Sequence, residues 1–420
     1  MTEIQANKKV LMIAFHFPPN SSIGTQRTFK TAEYLPELGW DPIVLTAKAS
    51  AYDAIEQTQQ IPQSLLDNTY RATAFDVHRH LTIMGKHLGW MAMIDRWTTW
   101  IPGAVWKGMK IIQQNKPDLI WSTSPIPSAH IIARILSKKY NIPWVADYRD
   151  PFHYHHTSIS SMKNRALKAI DKMTIKNASA AVFTTPKTTA LYQDYFNDEP
   201  DEKFFTVENG YDEQNWEKLV SHIPTSVNPM SKTKFSLLYS GVLYQNGRDP
   251  TPLFEAIKRL KATEVINGNN FELIFQGSGD GNNYKDLIKT MAISDLITFT
   301  PSVPYLDSLV YIGKADALVI IQDEVFNFQI PAKLYEYIRT NRPILVMSPE
   351  NSSTAWAAKR CNLCAITKTS DKIATQLSAW IKNPTAAPDG TTFIQFSRHA
   401  KAAEMAEIFD QTINKGDSVC

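Results

Sequence analysis

One unit recurs along this chain and limits its fold more than any other feature. It is a short apolar run without helical spacing, a loop rich in glycine or proline, a helical stripe, and another apolar run. The first run, Lys9 to Phe17, carries Val10, Leu11, Ile13, Phe15 and Phe17. It breaks at Pro18-Pro19, passes through Asn20-Ser21-Ser22-Ile23-Gly24, and gives way to Phe29, Ala32, Leu35 and Leu38 on one helical face closed by Gly39. Pro42 to Thr46 is the next strand. Strand, glycine loop, helix and strand make a βαβ unit, which predicts a parallel sheet with its sites at the strands' carboxyl ends. Further strands are expected at Pro117 to Ser122, Trp144 to Ala146 and Ala178 to Thr184. Residues 50 to 80 carry no strong period and read as an excursion from the sheet.

The alternation then starts again. Phe235 to Tyr239, Phe271 to Phe275, Ile297 to Phe299 and Ala315 to Ile321 are apolar runs, each ending near glycine, proline or charge. Between the two series, residues 219–233 lose periodicity and gain Pro, Ser and Thr, the composition of a linker. At 420 residues the chain exceeds what one core usually supports. Two α/β domains are therefore expected, 1–222 and 234–392, joined by 223–233.

Several residues at these strand ends suit chemistry. Pro331 fits the first position of a helix whose free amides form a ready site for phosphate oxygens. Lys333 and Glu336 share a face there, and could offer a cation for a diphosphate and acceptor oxygens for ribose hydroxyls, or could form an incidental surface ion pair. Arg248 lies in a strand-to-helix loop where a guanidinium can grip phosphate with paired hydrogen bonds. Gly24 could let a backbone approach a pyrophosphate, or could be plain turn chemistry. Asp147, Arg149 and Asp150 flank the end of another strand, placed either to face a cleft or to form a structural salt bridge. His153, His155 and His156 follow, spaced too tightly for a metal site and more in keeping with a loop.

From Met84 to Ile112, Trp90, Trp97, Trp100 and Trp106 stand among Met91, Met93 and Met109, with Lys86, Arg96, Lys107 and Lys110 interleaved. The segment reads either as a buried helix pair or as a face for a membrane interface or a greasy acceptor. A net charge of +3 is too small to argue for nucleic acid. The polar amino terminus lacks a signal-peptide core and no run has the length of a bilayer span, so the cytosol is the expected compartment. Cys361, Cys364 and Cys420 make no disulfide framework, and the lone Cys361-x-x-Cys364 pair lacks a second pair for zinc.

An ordered set of motifs resembles the retaining glycosyltransferases of family 4. It comprises Phe17-Pro18-Pro19 with Gly24 and Arg27; Asp147-Tyr148-Arg149-Asp150-Pro151; Glu208-Asn209-Gly210-Tyr211-Asp212; Ser240-Gly241-Val242-Leu243-Tyr244 with Arg248; Ser302-Val303-Pro304; and Ile330 through Tyr337. The resemblance implies the GT-B fold: two Rossmann-like parallel-sheet domains facing across a cleft, with a C-terminal helix (residues 393–420) crossing back to the first. Ala402, Met405, Ala406, Phe409 and Ile413 would form that helix's apolar face. It implies catalytic roles for Arg248, Lys333, Asp150 and Arg149. Gly24, Gly241, Val303, Ile330, Leu334 and Glu336 would bind the nucleotide, and Asp147 and Arg27 would border the acceptor.

The activity implied is transfer of a sugar, with retention and without a metal or other cofactor, from a nucleotide-diphosphate sugar. The acceptor would be a glycan or lipid-linked hydroxyl, at the inner face of the cytoplasmic membrane. A nucleotide-sugar epimerase of the same fold and a non-catalytic nucleotide-sugar-binding protein are the alternatives. Two positions depart from the family pattern. Phe328 stands where a carboxylate commonly precedes the ribose-binding glutamate by eight residues, with Asp323 and Glu324 as nearby replacements. Arg149 stands where many members have a histidine.

Overall fold

A computed structural model describes residues 7–56, 61–77, 94–152, 161–383 and 393–417. The chain divides into two compact units, Met1–Asn209 with Arg398–Cys420, and Gly210–Ser397.

The first unit is built on seven parallel strands: β1 (Lys8–Ile13), β2 (Trp40–Ala47), β3 (Thr69–Ala72), β4 (Leu119–Thr123), β5 (Trp144–Tyr148), β6 (Ala180–Phe183) and β7 (Phe204–Thr206). Their order, β3-β2-β1-β4-β5-β6-β7, reverses direction between β1 and β4. Both faces are covered, and the period of two along β1 sorts its side chains accordingly. Leu11 and Ile13 enter one core with the helices Trp100–Asn115, Ser128–Tyr140 and Ser161–Asn177. Val10 and Met12 enter the other, with Phe29 of the helix Ile23–Tyr34 and with Met405 and Phe409 of the last helix, Arg398–Asp417. That helix is therefore part of the first unit. Trp40 meets Phe409 edge-on, and Asp410 accepts hydrogen bonds from Trp40 Nε1 at 3.1 Å and Lys8 Nζ at 2.8 Å.

Three local expectations change. The first strand leaves the sheet after Ile13, so Phe15 and Phe17 are buried in a post-strand segment that frames His16. The excursion at 50–80 supplies an edge strand, β3, whose four residues are too few to show a period. The tryptophan segment splits: Trp100 is fully buried, whereas Trp106 is 55% exposed. Met84, Lys86, Trp90, Met91, Met93, His153, His155 and His156 lie outside the described residues.

The second unit has six parallel strands, β8 (Phe235–Ser240), β9 (Phe271–Gln276), β10 (Ile297–Thr300), β11 (Ala317–Ile321), β12 (Ile344–Met347) and β13 (Cys364–Ile366), in the order β10-β9-β8-β11-β12-β13. Again the order reverses, between β8 and β11, and the helix Ala332–Arg339 follows β11. Residues 210–226 belong with this unit. Tyr211 and Trp216 pack into its core, and Arg339 pairs with Glu213. Buried Asp307 accepts hydrogen bonds from His222 Nε2 at 2.6 Å, Thr225 N at 3.0 Å and Ser226 N at 2.8 Å. Burial alone would raise the Asp307 carboxyl, but the hydrogen bonds from His222, Ser226 and Thr225 outweigh it and hold the group at about 2. This stretch has no apolar period because polar contacts hold it while Val220 and Ile223 stay exposed.

Candidate active site

In the second unit, β8 ends at Ser240 and the backbone turns through Gly241 at φ +131°, a conformation that side-chain-bearing residues rarely adopt. A Cβ on Gly241 would also run into the Lys333 ammonium. Lys333, in the first turn of Ala332–Arg339, reaches back to donate to the Ser240 carbonyl and lies 4.5 Å from the Tyr239 ring centroid. Arg248 comes from the loop after β8, donating to Val242 O at 2.6 Å and Tyr239 Oη at 3.2 Å. Its guanidinium lies 4.5 Å from the centroid of Tyr244 and 5.5 Å from that of Phe326. Burial first, and then the repulsion of Arg248, push Lys333 down to about 7, with Glu336 opposing them. Two cations held close enough to disfavour each other make a site poised for an anion.

The surrounding hydrogen bonds fix this geometry. Tyr337 Oη accepts from Ser240 N at 2.9 Å, joining the end of β8 to the Ala332–Arg339 helix. Ser278 Oγ donates to Gly241 O at 2.8 Å. Ser240 Oγ and Ser308 Oγ both lie 3.0 Å from Gln276 Oε1. Tyr305 Oη donates to Glu336 Oε1 at 2.8 Å and orients that carboxylate. Ile330 and Leu334 turn their side chains into the core beside Val303, so any ligand contact there is through backbone. The Leu334 amide donates to Pro331 O at 2.9 Å, within the first turn of the helix. Ala332 and Lys333 then supply the helix-start donors.

In the first unit, Gly24 lies near the start of the helix Ile23–Tyr34. A Cβ there would collide with the Arg149 guanidinium and stand 3.1 Å from His16 Nδ1. Gly24, His16 and Arg149 thus form one cluster. Burial, then Arg149 and Arg96, lower His16 to about 4, so its imidazole is neutral at pH 7. His16 Nδ1 is buried without a hydrogen-bond partner. Burial also lowers Arg149, whereas neighbouring Asp150 favours its charge. The Arg149 backbone is clamped by Ser124 Oγ and Thr184 Oγ1, both at 2.7 Å.

Arg27 and Asp147, expected beside the acceptor, form a buried bidentate pair, with Nε–Oδ2 at 3.1 Å and Nη2–Oδ1 at 2.7 Å. Thr123 Oγ1 donates to Asp147 Oδ2 at 2.6 Å, and Arg27 donates to Val207 O and Glu208 O at 3.0 Å each. Their hydrogen-bonding groups are engaged in bracing helix, strand and loop, so the pair is a structural strut. Asp323, a candidate replacement for the carboxylate missing at Phe328, pairs with Lys368, and Glu324 is exposed.

Sequence reasoning missed His16, Tyr239, Tyr305 and Tyr337. A polar residue between Phe15 and Phe17 was a usable signal for His16. Tyr305 and Tyr337 carry no spacing signal, because their partners Glu336 and Ser240 are distant in sequence. Among the described residues, no group of three or more His, Cys, Asp or Glu side chains is arranged to hold a metal.

Residues 25–215 match the family model described as Glycosyltransferase Family 4. Over that range the first unit is similar to the family 4 glycosyltransferases. No curated relative matches the chain by sequence. Solved structures similar to this chain share its fold over nearly its full length. Sucrose-phosphate synthase from Thermosynechococcus elongatus matches at 12% identity with a TM-score of 0.62, covering 98% of each chain. HepE from Anabaena, in complex with UDP and glucose, matches at 13% identity and TM-score 0.61, covering 96% of this chain and 100% of that one. The UDP-GlcNAc 2-epimerase from Neisseria meningitidis, bound to UDP-GlcNAc, matches at 13% identity and TM-score 0.55, covering 97% and 100%. The two parallel-sheet units thus have the GT-B architecture of these neighbours.

Proposed function

We propose that this protein is a glycosyltransferase that takes a nucleotide-diphosphate sugar on its second unit and moves the sugar, with retention and without a metal, to a hydroxyl of a glycan or lipid-linked acceptor. The observation that carries the reading is the convergence of Arg248, Lys333 and the Gly241 turn at the carboxyl end of β8. Breaking the sugar–phosphate bond leaves negative charge on the nucleotide. Fixed cations and helix-start amides stabilise that charge at the moment it develops. Glu336, held by Tyr305, is suited to accept from ribose hydroxyls. In a retaining transfer the acceptor hydroxyl attacks the face the nucleotide leaves, and a phosphate oxygen can take its proton. We assign Arg149, with His16 and Asp150 beside it, to the sugar and acceptor side of the reaction.

A panel of nucleotide sugars in thermal-shift and transfer assays tests the donor. The true donor raises the melting temperature, because it binds only the folded state. Arg248→Ala should lower kcat by about 10²–10³-fold, the usual worth of one such stabilising donor; an unchanged rate removes Arg248 from the site. The structural likeness to an epimerase supports a second reading. Incubating donor alone distinguishes the two: a new sugar stereoisomer without acceptor identifies an epimerase.

A further inference from the structure

One buried side chain, Tyr239, touches both cations at the end of β8. It sits in the core of the second unit, where its ring lies 5.6 Å from that of Phe275 on the neighbouring strand. Its hydroxyl donates to Val242 O at 3.0 Å and accepts from Arg248 Nη1 at 3.2 Å. Burial raises the phenol above its ordinary value, so it keeps its proton at pH 7 and fills both parts. The ring of the same residue lies 4.5 Å from the Lys333 ammonium, within the range of a cation–π attraction.

These contacts decide which part of Arg248 is left for a ligand. Among the described residues, both hydrogen bonds that Arg248 donates leave from Nη1, one to Val242 O at 2.6 Å and one to the phenol. The Nε–Nη2 edge is not used by either. Arg27 shows what that edge does elsewhere in the chain. Its Nη1 donates to Glu208 O, while its Nε and Nη2 grip the two oxygens of Asp147. The two anchors of Arg248 differ in kind. Val242 belongs to the same loop as Arg248 and is 47% exposed, whereas the phenol is rooted in the sheet at 1% exposure. The phenol therefore ties a loop guanidinium to the rigid part of the fold. A buried hydroxyl is already satisfied by one carbonyl, so the bond from Arg248 is more than the core requires.

We propose that Tyr239 is a positioning residue for the diphosphate: its hydroxyl fixes Nη1 of Arg248 and so presents the Nε–Nη2 edge to phosphate oxygens. The inference rests on the donor reading above and carries it from the cations to the group that aligns one of them. An edge ordered beforehand spares the site the entropy of fixing a flexible guanidinium when the anion arrives.

Calorimetric titration with nucleoside diphosphates tests it, the probe being whichever of UDP, GDP, ADP and dTDP binds tightest. Tyr239→Phe removes the hydroxyl and keeps the ring beside Lys333. It should bind the probe about three- to tenfold more weakly, the usual worth of one neutral hydrogen bond. Arg248→Ala should bind about tenfold to a hundredfold more weakly, the range for bonds to a charged group. Combining the two should give no further loss beyond Arg248→Ala alone, because the hydroxyl acts through the guanidinium. In the Lys333→Met background, by contrast, Tyr239→Phe should keep its own effect. A hydroxyl that only supports the fold would weaken binding by the same factor in every background. That result, or native affinity in Tyr239→Phe, would overturn the inference and leave the donor site standing. Unchanged affinity in Arg248→Ala would overturn both.

Discussion

Lys333 makes a measurable link between protons and donor. Burial and Arg248 hold it at about 7 in the free protein. At pH 8 roughly nine-tenths of the molecules then carry a neutral amine, and at pH 6 roughly one-tenth do. A diphosphate within a few ångströms supplies an opposite charge worth about 1–3 units, enough to bring the group to roughly 9. Binding a nucleotide sugar, whose diphosphate does not titrate in this range, should then take up about 0.8 proton at pH 8 and about 0.1 at pH 6. Calorimetry in buffers of different ionisation enthalpy reads that number directly. Donor affinity should be nearly flat below pH 7 and weaken by up to about tenfold per pH unit above it. Lys333→Met should abolish the uptake and flatten the profile. Uptake that persists in Lys333→Met, or none in the native protein at pH 8, would refute the placement of the diphosphate. The same shift affects the free protein with the opposite emphasis. A lysine depressed on folding binds fewer protons folded than unfolded between about 7 and about 10.4. The ligand-free protein should gain stability as pH rises through that window, and Lys333→Met should remove the gain.

Other substitutions separate framework from chemistry. Gly241→Ala faces both the φ of +131° and the Lys333 ammonium; urea titration should show a loss of about 1–3 kcal/mol, with donor affinity falling alongside. Removing one partner of the buried Arg27–Asp147 pair, as in Asp147→Ala, should cost about 3–5 kcal/mol in chemical denaturation. A stable Asp147→Ala protein with only a raised acceptor KM would return the pair to the acceptor site. Asp307, held at about 2, contributes stability that is present above its unfolded value and lost as pH falls toward 2. Hydrogen exchange at the amides of Thr225 and Ser226 should therefore accelerate over that acid range, and Asp307→Ala should show the faster exchange already at pH 7.

The periodic features were legible in the residues alone. Apolar runs such as Val10 to Ile13 and Ala317 to Ile321, each followed by a glycine or proline loop, impose parallel strands, because hydrophobic spacing is a local property. The apolar face of the last helix was legible for the same reason, as were the cations Arg248 and Lys333 and the glycines at strand ends. The short strand β3 was not, since four residues hold too little pattern. The stretch 210–226 was not either, since Asp307 holds it through polar contacts more than eighty residues away in sequence.

Tertiary structure decided what each charged residue does. Asp147 and Arg149 are two apart, yet one is locked against Arg27 in the interior while the other clusters with Gly24 and His16. No spacing rule separates them, because the difference lies in which distant chain segment each side chain meets. The depressed Lys333 follows from the same cause: its value is set by burial and by Arg248, eighty-five positions earlier. Sequence spells out the elements through short-range periodicity. Partners, burial and electrostatic potential exist only once the sheets have brought remote strand ends together.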